Sequence, residues 1–326
     1  MAGGSEADRQ IKIVCHVTAG FPALSAACAG MPALSLAETK TLAELERELA
    51  GADGLIVFNG DYTAEVAALA ARQRLRWIQF ATAGVDNAEK FGVPEGCLLC
   101  NAGDVWAPTV AEHALALLLG LVRQIHLLER TRLGEDWSRG ALVPAMGSLQ
   151  GRTLALVGVG NIGREIAARA RAFGPRIVGV MRQPRSVEGI DEAVSFERLF
   201  EVLAAADAVV LSLALTAQTH HLIGREALAA MKASAFLVNV ARGGIVDETA
   251  LIEALGDGRI AGAGLDVFAS EPLPLDSPLR GLPNVILSPH VAGFGDAGAG
   301  ERLVDLCRDN IRRFMTGEVL RNRIAL

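Results

Sequence analysis

Thr153-Leu154-Ala155-Leu156-Val157-Gly158-Val159-Gly160-Asn161-Ile162-Gly163 joins an apolar run to a helical pattern that continues from Arg164 to Phe173. In that setting a G-x-G-x-x-G has a physical meaning. The first glycine permits a tight strand-to-helix turn, the second lets backbone approach a pyrophosphate, and the third lets the helix pack on the strand. The N–H groups at the helix start, at Asn161, Ile162 and Gly163, then face the anion. Strand and helix patterns continue to alternate as far as Ser288, which favours a dinucleotide-binding α/β domain over a merely structural glycine turn.

An acidic residue is expected at the end of the next strand, where it would accept hydrogen bonds from the adenosine ribose. The strand Arg176-Ile177-Val178-Gly179-Val180-Met181 instead ends on methionine and is followed by Arg182, Gln183, Pro184 and Arg185. Loss of the carboxylate removes a repulsion, and two guanidinium groups supply forked donors for a phosphate. This points to NADP rather than NAD, with two solvated surface arginines as the plainer alternative.

A chain of 326 residues, 51% hydrophobic, is long enough for two domains with cores of their own. A formal net charge of -6 provides no basic field for nucleic acid. The most apolar stretch, Ala114 to Val122, is too short for a membrane span and lies between charged residues. Met1 to Gln10 is polar and acidic, unlike a secretory signal, so a cytoplasmic location is expected. The five cysteines, Cys15, Cys28, Cys97, Cys100 and Cys307, are scattered, and Cys97-Leu98-Leu99-Cys100 has no second ligand pair. Buried thiols are expected, and no metal site.

Two blocks of parallel-sheet pattern emerge. The first alternates strands (11–17, 54–58, 75–80, 97–101) with helices (41–50, 63–74). A long helical pattern then runs from near Pro108 to about Arg130. The second block has strands at 153–157, 176–181, 208–213, 235–240, 262–267 and 285–288, and a final helix at 302–316 is expected to return to the first block. The expected architecture is α/β, with two Rossmann-like or flavodoxin-like domains of parallel sheet and an active-site cleft between them. Residues 1–103 and 294–326 would form the substrate-binding domain, and 104–293 the dinucleotide-binding domain.

Three polar residues lie near strand ends of the second block. Arg242 follows Leu237 to Ala241 and precedes Gly243-Gly244. Glu271 follows Asp266-Val267-Phe268-Ala269-Ser270 and precedes Pro272, and His290 follows Ser288-Pro289. Each alone reads as an ordinary surface or loop residue. Together with Asn239 to Glu248, Glu271-Pro272-Leu273-Pro274, Pro283-Asn284-Val285, Ala111-Glu112-His113 and Ala83-Gly84-Val85-Asp86, they make the chain resemble the D-isomer-specific 2-hydroxyacid dehydrogenase family over nearly its whole length. The resemblance implies Arg242, Glu271 and His290 as the catalytic set, and Ala83 and Gly84 as backbone donors to a substrate carboxylate. It implies Asp266 at the nicotinamide carboxamide, with Leu213, Val240 and Gly293 also lining the cofactor.

Those residue types suit reduction of a 2-keto acid, in which hydride reaches C2 while the keto oxygen gains negative charge and needs a proton donor. Glu271 would fix the His290 tautomer and favour imidazolium, and Arg242 would grip both carboxylate and keto oxygen. Leu213-Ala214-Leu215 departs from the proline common there in the family. Glutamate at 271 disfavours formate as substrate, and with 291–326 alone following His290 the regulatory domain of many phosphoglycerate dehydrogenases is not expected. The missing acid at Met181 is shared with NADPH-using glyoxylate and hydroxypyruvate reductases, the expected branch. Two alternatives stand: an NAD-linked phosphoglycerate- or phosphite-type dehydrogenase, and a cofactor-sensing scaffold like the C-terminal binding proteins. A small 2-keto or 2-hydroxy acid is the expected partner, with neither nucleic acid nor membrane. By resemblance the chain forms a homodimer through the long helix and the Trp137 region.

Overall fold

The computed structural model describes residues 10–17, 22–132 and 139–325, so the segments before Gln10 and around Trp137 lie outside the described residues. The chain divides into two compact units, Met1–Trp106 with Asp296–Leu326, and Ala107–Gly295.

In the first unit the strands are β1 (Ile11–His16), β2 (Leu34–Thr39), β3 (Gly54–Val57), β4 (Trp77–Phe80) and β5 (Leu98–Cys100), with β13 (Arg323–Ile324) near the chain end. Their order, β13-β5-β4-β3-β1-β2, is flavodoxin-like, and only β13 runs antiparallel to its neighbour. Helices α1 (Pro22–Ala27), α2 (Leu42–Leu49), α3 (Ala64–Gln73), α4 (Asp86–Phe91) and α12 (Ala297–Thr316) accompany the sheet. Alternation along the strands divides the core. Ile13, Cys15 and Trp77 pack with Leu303, Leu306 and Ile311 of α12, while Val14, Ile78 and Phe80 pack with Leu45 of α2 and Val66 of α3. Helix α2 starts where a capping box predicts: the Glu44 N–H donates to the Thr41 hydroxyl, and the Thr41 N–H donates to the Glu44 carboxylate.

The second unit carries β6 (Thr153–Val157), β7 (Arg176–Val180), β8 (Glu192–Val194), β9 (Ala208–Leu211), β10 (Phe236–Asn239), β11 (Gly262–Leu265) and β12 (Val285–Leu287). All pair in parallel in the order β12-β11-β10-β9-β6-β7-β8. The order reverses between β6 and β9, the switch point at which ligands bind in doubly wound sheets. Its helices are α5 (Ala107–Val122), α6 (Ile125–Thr131), α7 (Arg139–Leu142), α8 (Asn161–Ala170), α9 (Leu199–Ala205), α10 (Arg225–Ala230) and α11 (Glu248–Gly256). Both faces of β6, β9 and β11 are buried, which is why these strands read as unbroken apolar or small-residue runs.

Several expectations need correction. The helix expected from 108 to 130 breaks at Gln124, which adopts φ +56°, and the α5–α6 pair bends by 61°. The end of α5 is satisfied partly locally, where the Gln124 amide and side chain both donate to Leu121 O, and partly from afar, where the Gly147 N–H donates to Val122 O at 2.8 Å. The final helix begins at Ala297, five residues earlier than expected, because the Asp296 side chain caps it through the Gly298 N–H. Cys97 is only partly buried, unlike the other four thiols, although burial still pushes it up to about 12. Among the described residues no group of His, Cys, Asp or Glu is arranged to hold a metal, and no single helix is long and apolar enough to cross a membrane.

A buried polar pair ties α12 to the first sheet. Asn310 donates to Gln79 Oε1 at 2.8 Å and to Arg321 O at 3.1 Å, and accepts the Arg321 N–H at 2.7 Å. Asn310→Leu would strand several buried polar groups and is expected to destabilise the protein by about 2–3 kcal/mol. Urea unfolding followed by tryptophan fluorescence should show a lower midpoint, whereas Arg47→Ala at an exposed site should stay within about 0.5 kcal/mol of the parent.

Candidate active site

Gly158 follows β6, and its φ of +92° is open to glycine and costly for other residues. A Cβ there would sit 2.7 Å from Leu213 Cβ and 2.8 Å from Ser212 O. At Gly163 a Cβ would collide with Gly158 O, so the third glycine is what allows α8 to close on the strand. Around Gly160 nothing lies within 4 Å of where a side chain would go. Gly160 caps α8 without a side-chain hydrogen bond, leaving first-turn N–H groups at Asn161, Ile162 and Gly163 facing outward. The donor set and the open space fit a dinucleotide pyrophosphate.

Beside this turn lies a cavity of about 500 Å³ whose walls include Gly158, Gly160, Met181, Arg182, Arg185 and Leu213. Five expected cofactor residues thus share one wall, together with the methionine that replaces the acid. The hydroxyl residues Ser212, Thr216 and Thr219 also line it and were missed from the sequence. Their signal, a short polar interruption after the apolar β9, is weak. Ser212 donates to Gly158 O at 2.8 Å and so braces the glycine turn.

Glu271 and His290 meet at a second cavity, of about 530 Å³. His290 Nδ1 lies 2.7 Å from Glu271 Oε2, and the other carboxylate oxygen accepts the Phe268 N–H at 3.0 Å. Burial pushes the Glu271 carboxyl up, but the His290 ring and the Phe268 N–H outweigh it and hold the group below the usual range. The Glu271 hydrogen bond raises the His290 pKa against the opposing pull of burial. Arg242 acts on both by its charge, favouring the Glu271 carboxylate and opposing protonation of His290.

The Arg242 turn is built by Asn239 at the end of β10. Its side chain donates to Arg242 O at 2.9 Å and accepts the Ala241 N–H at 3.0 Å. Arg242 Nη1 donates to Ala241 O. A Cβ on Gly243 would overlap the Phe268 carbonyl, so the turn after β10 and the segment leading to Glu271 are in backbone contact. Asp266 is 1% exposed and binds the segment carrying His290, which itself sits at φ +53°. Val240 is buried and Gly293 follows the bound segment; neither lines the cofactor cavity.

In the first unit, the turn after β4 carries Ala83 and Gly84 and is braced by two side chains. Asn101 donates to Ala83 O and Thr82 donates to Gly84 O, each at 2.8 Å. The N–H groups of Ala83, Gly84 and Val85 have no backbone acceptor among the described residues.

Comparison with known proteins accords with this geometry. A family model described as D-isomer specific 2-hydroxyacid dehydrogenase, NAD binding domain, matches residues 115–292. A glyoxylate/hydroxypyruvate reductase B of Pectobacterium carotovorum is 38% identical over 283 residues, covering 84% of this chain and 86% of the relative. A D-3-phosphoglycerate dehydrogenase of Methanocaldococcus jannaschii is 36% identical over 291 residues, 88% of this chain, but the chain spans only 54% of that relative's length. The crystal structure of a D-isomer specific 2-hydroxyacid dehydrogenase family protein from Aeromonas salmonicida superposes with a TM-score of 0.85 at 31% identity, covering 97% and 99% of the two chains. With a glycine turn built for a dinucleotide and a histidine–carboxylate pair on the same sheet, the chain belongs to the D-isomer specific 2-hydroxyacid dehydrogenase family of oxidoreductases.

Proposed function

We propose that the protein reduces small 2-keto acids of the glyoxylate and hydroxypyruvate type with NADPH, with Arg242, Glu271 and His290 as the catalytic set. The observation that carries this reading is the 2.7 Å contact between His290 Nδ1 and Glu271, with Arg242 acting on both groups. Glu271 occupies Nδ1, leaving Nε2 to deliver a proton to the keto oxygen. Bound NADPH supplies the hydride that reaches C2. Arg242 orients the carboxylate and stabilises negative charge developing on the keto oxygen, and the Ala83 and Gly84 amides are further carboxylate donors. Leu213, on the wall of the cavity beside the glycine turn, belongs to the cofactor's surroundings, and Asp266 is assigned to the nicotinamide carboxamide. The NADPH preference is supported by Met181 in place of an acid and by Arg182 and Arg185 on the wall of the cavity beside the glycine turn. The similarity to a phosphoglycerate dehydrogenase favours a second reading, NAD-linked oxidation of 3-phosphoglycerate, and a panel of both cofactors with glyoxylate, hydroxypyruvate and 3-phosphoglycerate distinguishes the two.

On the proposed reading, kcat/KM is higher with NADPH than with NADH, and Arg182→Ala narrows the difference by about 1–3 kcal/mol as a charge-assisted hydrogen bond is lost. Equal or better use of NADH by the parent protein would refute the cofactor assignment.

Reduction requires protonated His290, so kcat/KM for glyoxylate reduction should fall as pH rises through the His290 pKa, which Glu271 raises. Glu271→Gln removes the negative partner, lowers that pKa and moves the fall to lower pH. His290→Ala should lose roughly 10²–10⁴-fold in rate.

Arg242→Lys replaces a planar fork by a point charge. Steady-state kinetics should show loss of both kcat and keto-acid affinity, while NADPH binding followed by fluorescence stays nearly unchanged. A variant defective only in NADPH binding would place Arg242 at the cofactor instead.

A further inference from the structure

The carboxylate of Asp266, just beyond β11, is committed to the segment that carries His290. Its Oδ1 accepts the Ser288 hydroxyl at 2.6 Å and the Val291 N–H at 2.9 Å, and its Oδ2 accepts the Ala292 N–H at 3.0 Å. The main-chain oxygen of the same residue accepts the His290 N–H at 2.8 Å. These four bonds flank a residue at φ +53°, a left-handed conformation that is uncommon for residues other than glycine.

A third residue completes the arrangement. His113, on α5, places Nε2 2.8 Å from Ser288 Oγ and 3.5 Å from Asp266 Oδ1. A serine hydroxyl has one hydrogen, and Ser288 gives it to Asp266, so the hydrogen in the His113 contact must come from the ring. The chain of donors therefore runs from His113 Nε2–H to Ser288 Oγ–H to Asp266, and from there to the backbone of the His290 turn.

We propose that His113 and Ser288 are positioning residues for the reduction, acting through Asp266 to hold the His290 turn in the conformation that brings its ring onto Glu271. Without the His113 donor, the Ser288 oxygen has a lone pair to satisfy elsewhere and its hydroxyl is free to turn away from Asp266. The turn then relaxes from its left-handed conformation, and the ring leaves the line between Glu271 and the keto oxygen. Neither residue touches the reacting atoms in this scheme. The inference rests on His290 being the proton donor.

The test compares His113→Leu, His113→Gln and Ser288→Ala with the parent and with His290→Ala, all with NADPH and glyoxylate. Loss of alignment in His113→Leu and Ser288→Ala should lower kcat about 10–100-fold with little change in KM for glyoxylate. The alkaline fall of kcat/KM should move to lower pH, because Glu271, Arg242 and Asp266, the charged groups acting on His290, remain and only the distance to Glu271 grows. In His113→Gln the amide reaches the same oxygen with a donor, so kcat and the pH profile should recover. Unchanged kcat and pH profile in His113→Leu and Ser288→Ala, while His290→Ala loses activity, would overturn the inference and leave the reading of His290 intact. So would a loss that glutamine does not restore, one confined to the affinity for NADPH, or one seen only as a lower melting temperature. Full activity in His290→Ala would overturn both.

Discussion

Parallel pairing is the constraint on which the second unit depends. Because β6 to β12 all run in one direction, every strand delivers its carboxyl end to the same edge of the sheet. Gly158 follows β6, Leu213 follows β9, Arg242 follows β10, Asp266 and Glu271 follow β11, and His290 follows β12. Residues as far apart in sequence as 158 and 290 thus reach one edge without any loop having to carry them there. An antiparallel sheet would send alternate strand ends to opposite edges and scatter the same set. The hydrogen-bond ladder therefore both holds the domain together and assembles its chemistry.

Much of this was legible from residue patterns, for reasons that differ between elements. Strands buried on both faces, such as β6 and β9, must be continuously apolar, and a G-x-G-x-x-G between strand and helix has few other uses. The exceptions are elements whose partners are distant. Glu192-Ala193-Val194 becomes β8 only because β7 offers it an edge, and Arg323-Ile324 becomes β13 only through Cys100 and Leu99. Nothing in Leu121-Val122-Arg123-Gln124 announces a helix end; the Gly147 amide that takes Val122 O arrives from more than twenty residues further along.

The candidate site was legible as a set of residue types and illegible as a set of contacts. Arg242, Glu271 and His290 each carry groups with evident chemistry, and their motifs single them out. Their supports differ: Asn239 lies within the Arg242 motif, but Ser212 and Asn101 act through one or two hydrogen bonds to backbone, and polar side chains of that kind occur throughout any chain. Asp266 is intermediate. The family resemblance directs it outward to the cofactor, whereas its visible hydrogen bonds run inward to the turn after β12.

The contact between Gly243 and the Phe268 carbonyl leaves no space for even a methyl group. The segments 239–244 and 266–271 are therefore interlocked parts with a shared fit, and neither can be reshaped while the other stays fixed. For protein engineering this marks them as one transplantable cassette. Loops exchanged between relatives to alter substrate range should be cut outside both segments, since a chimera that inherits them from different parents would bring together two surfaces never shaped to each other.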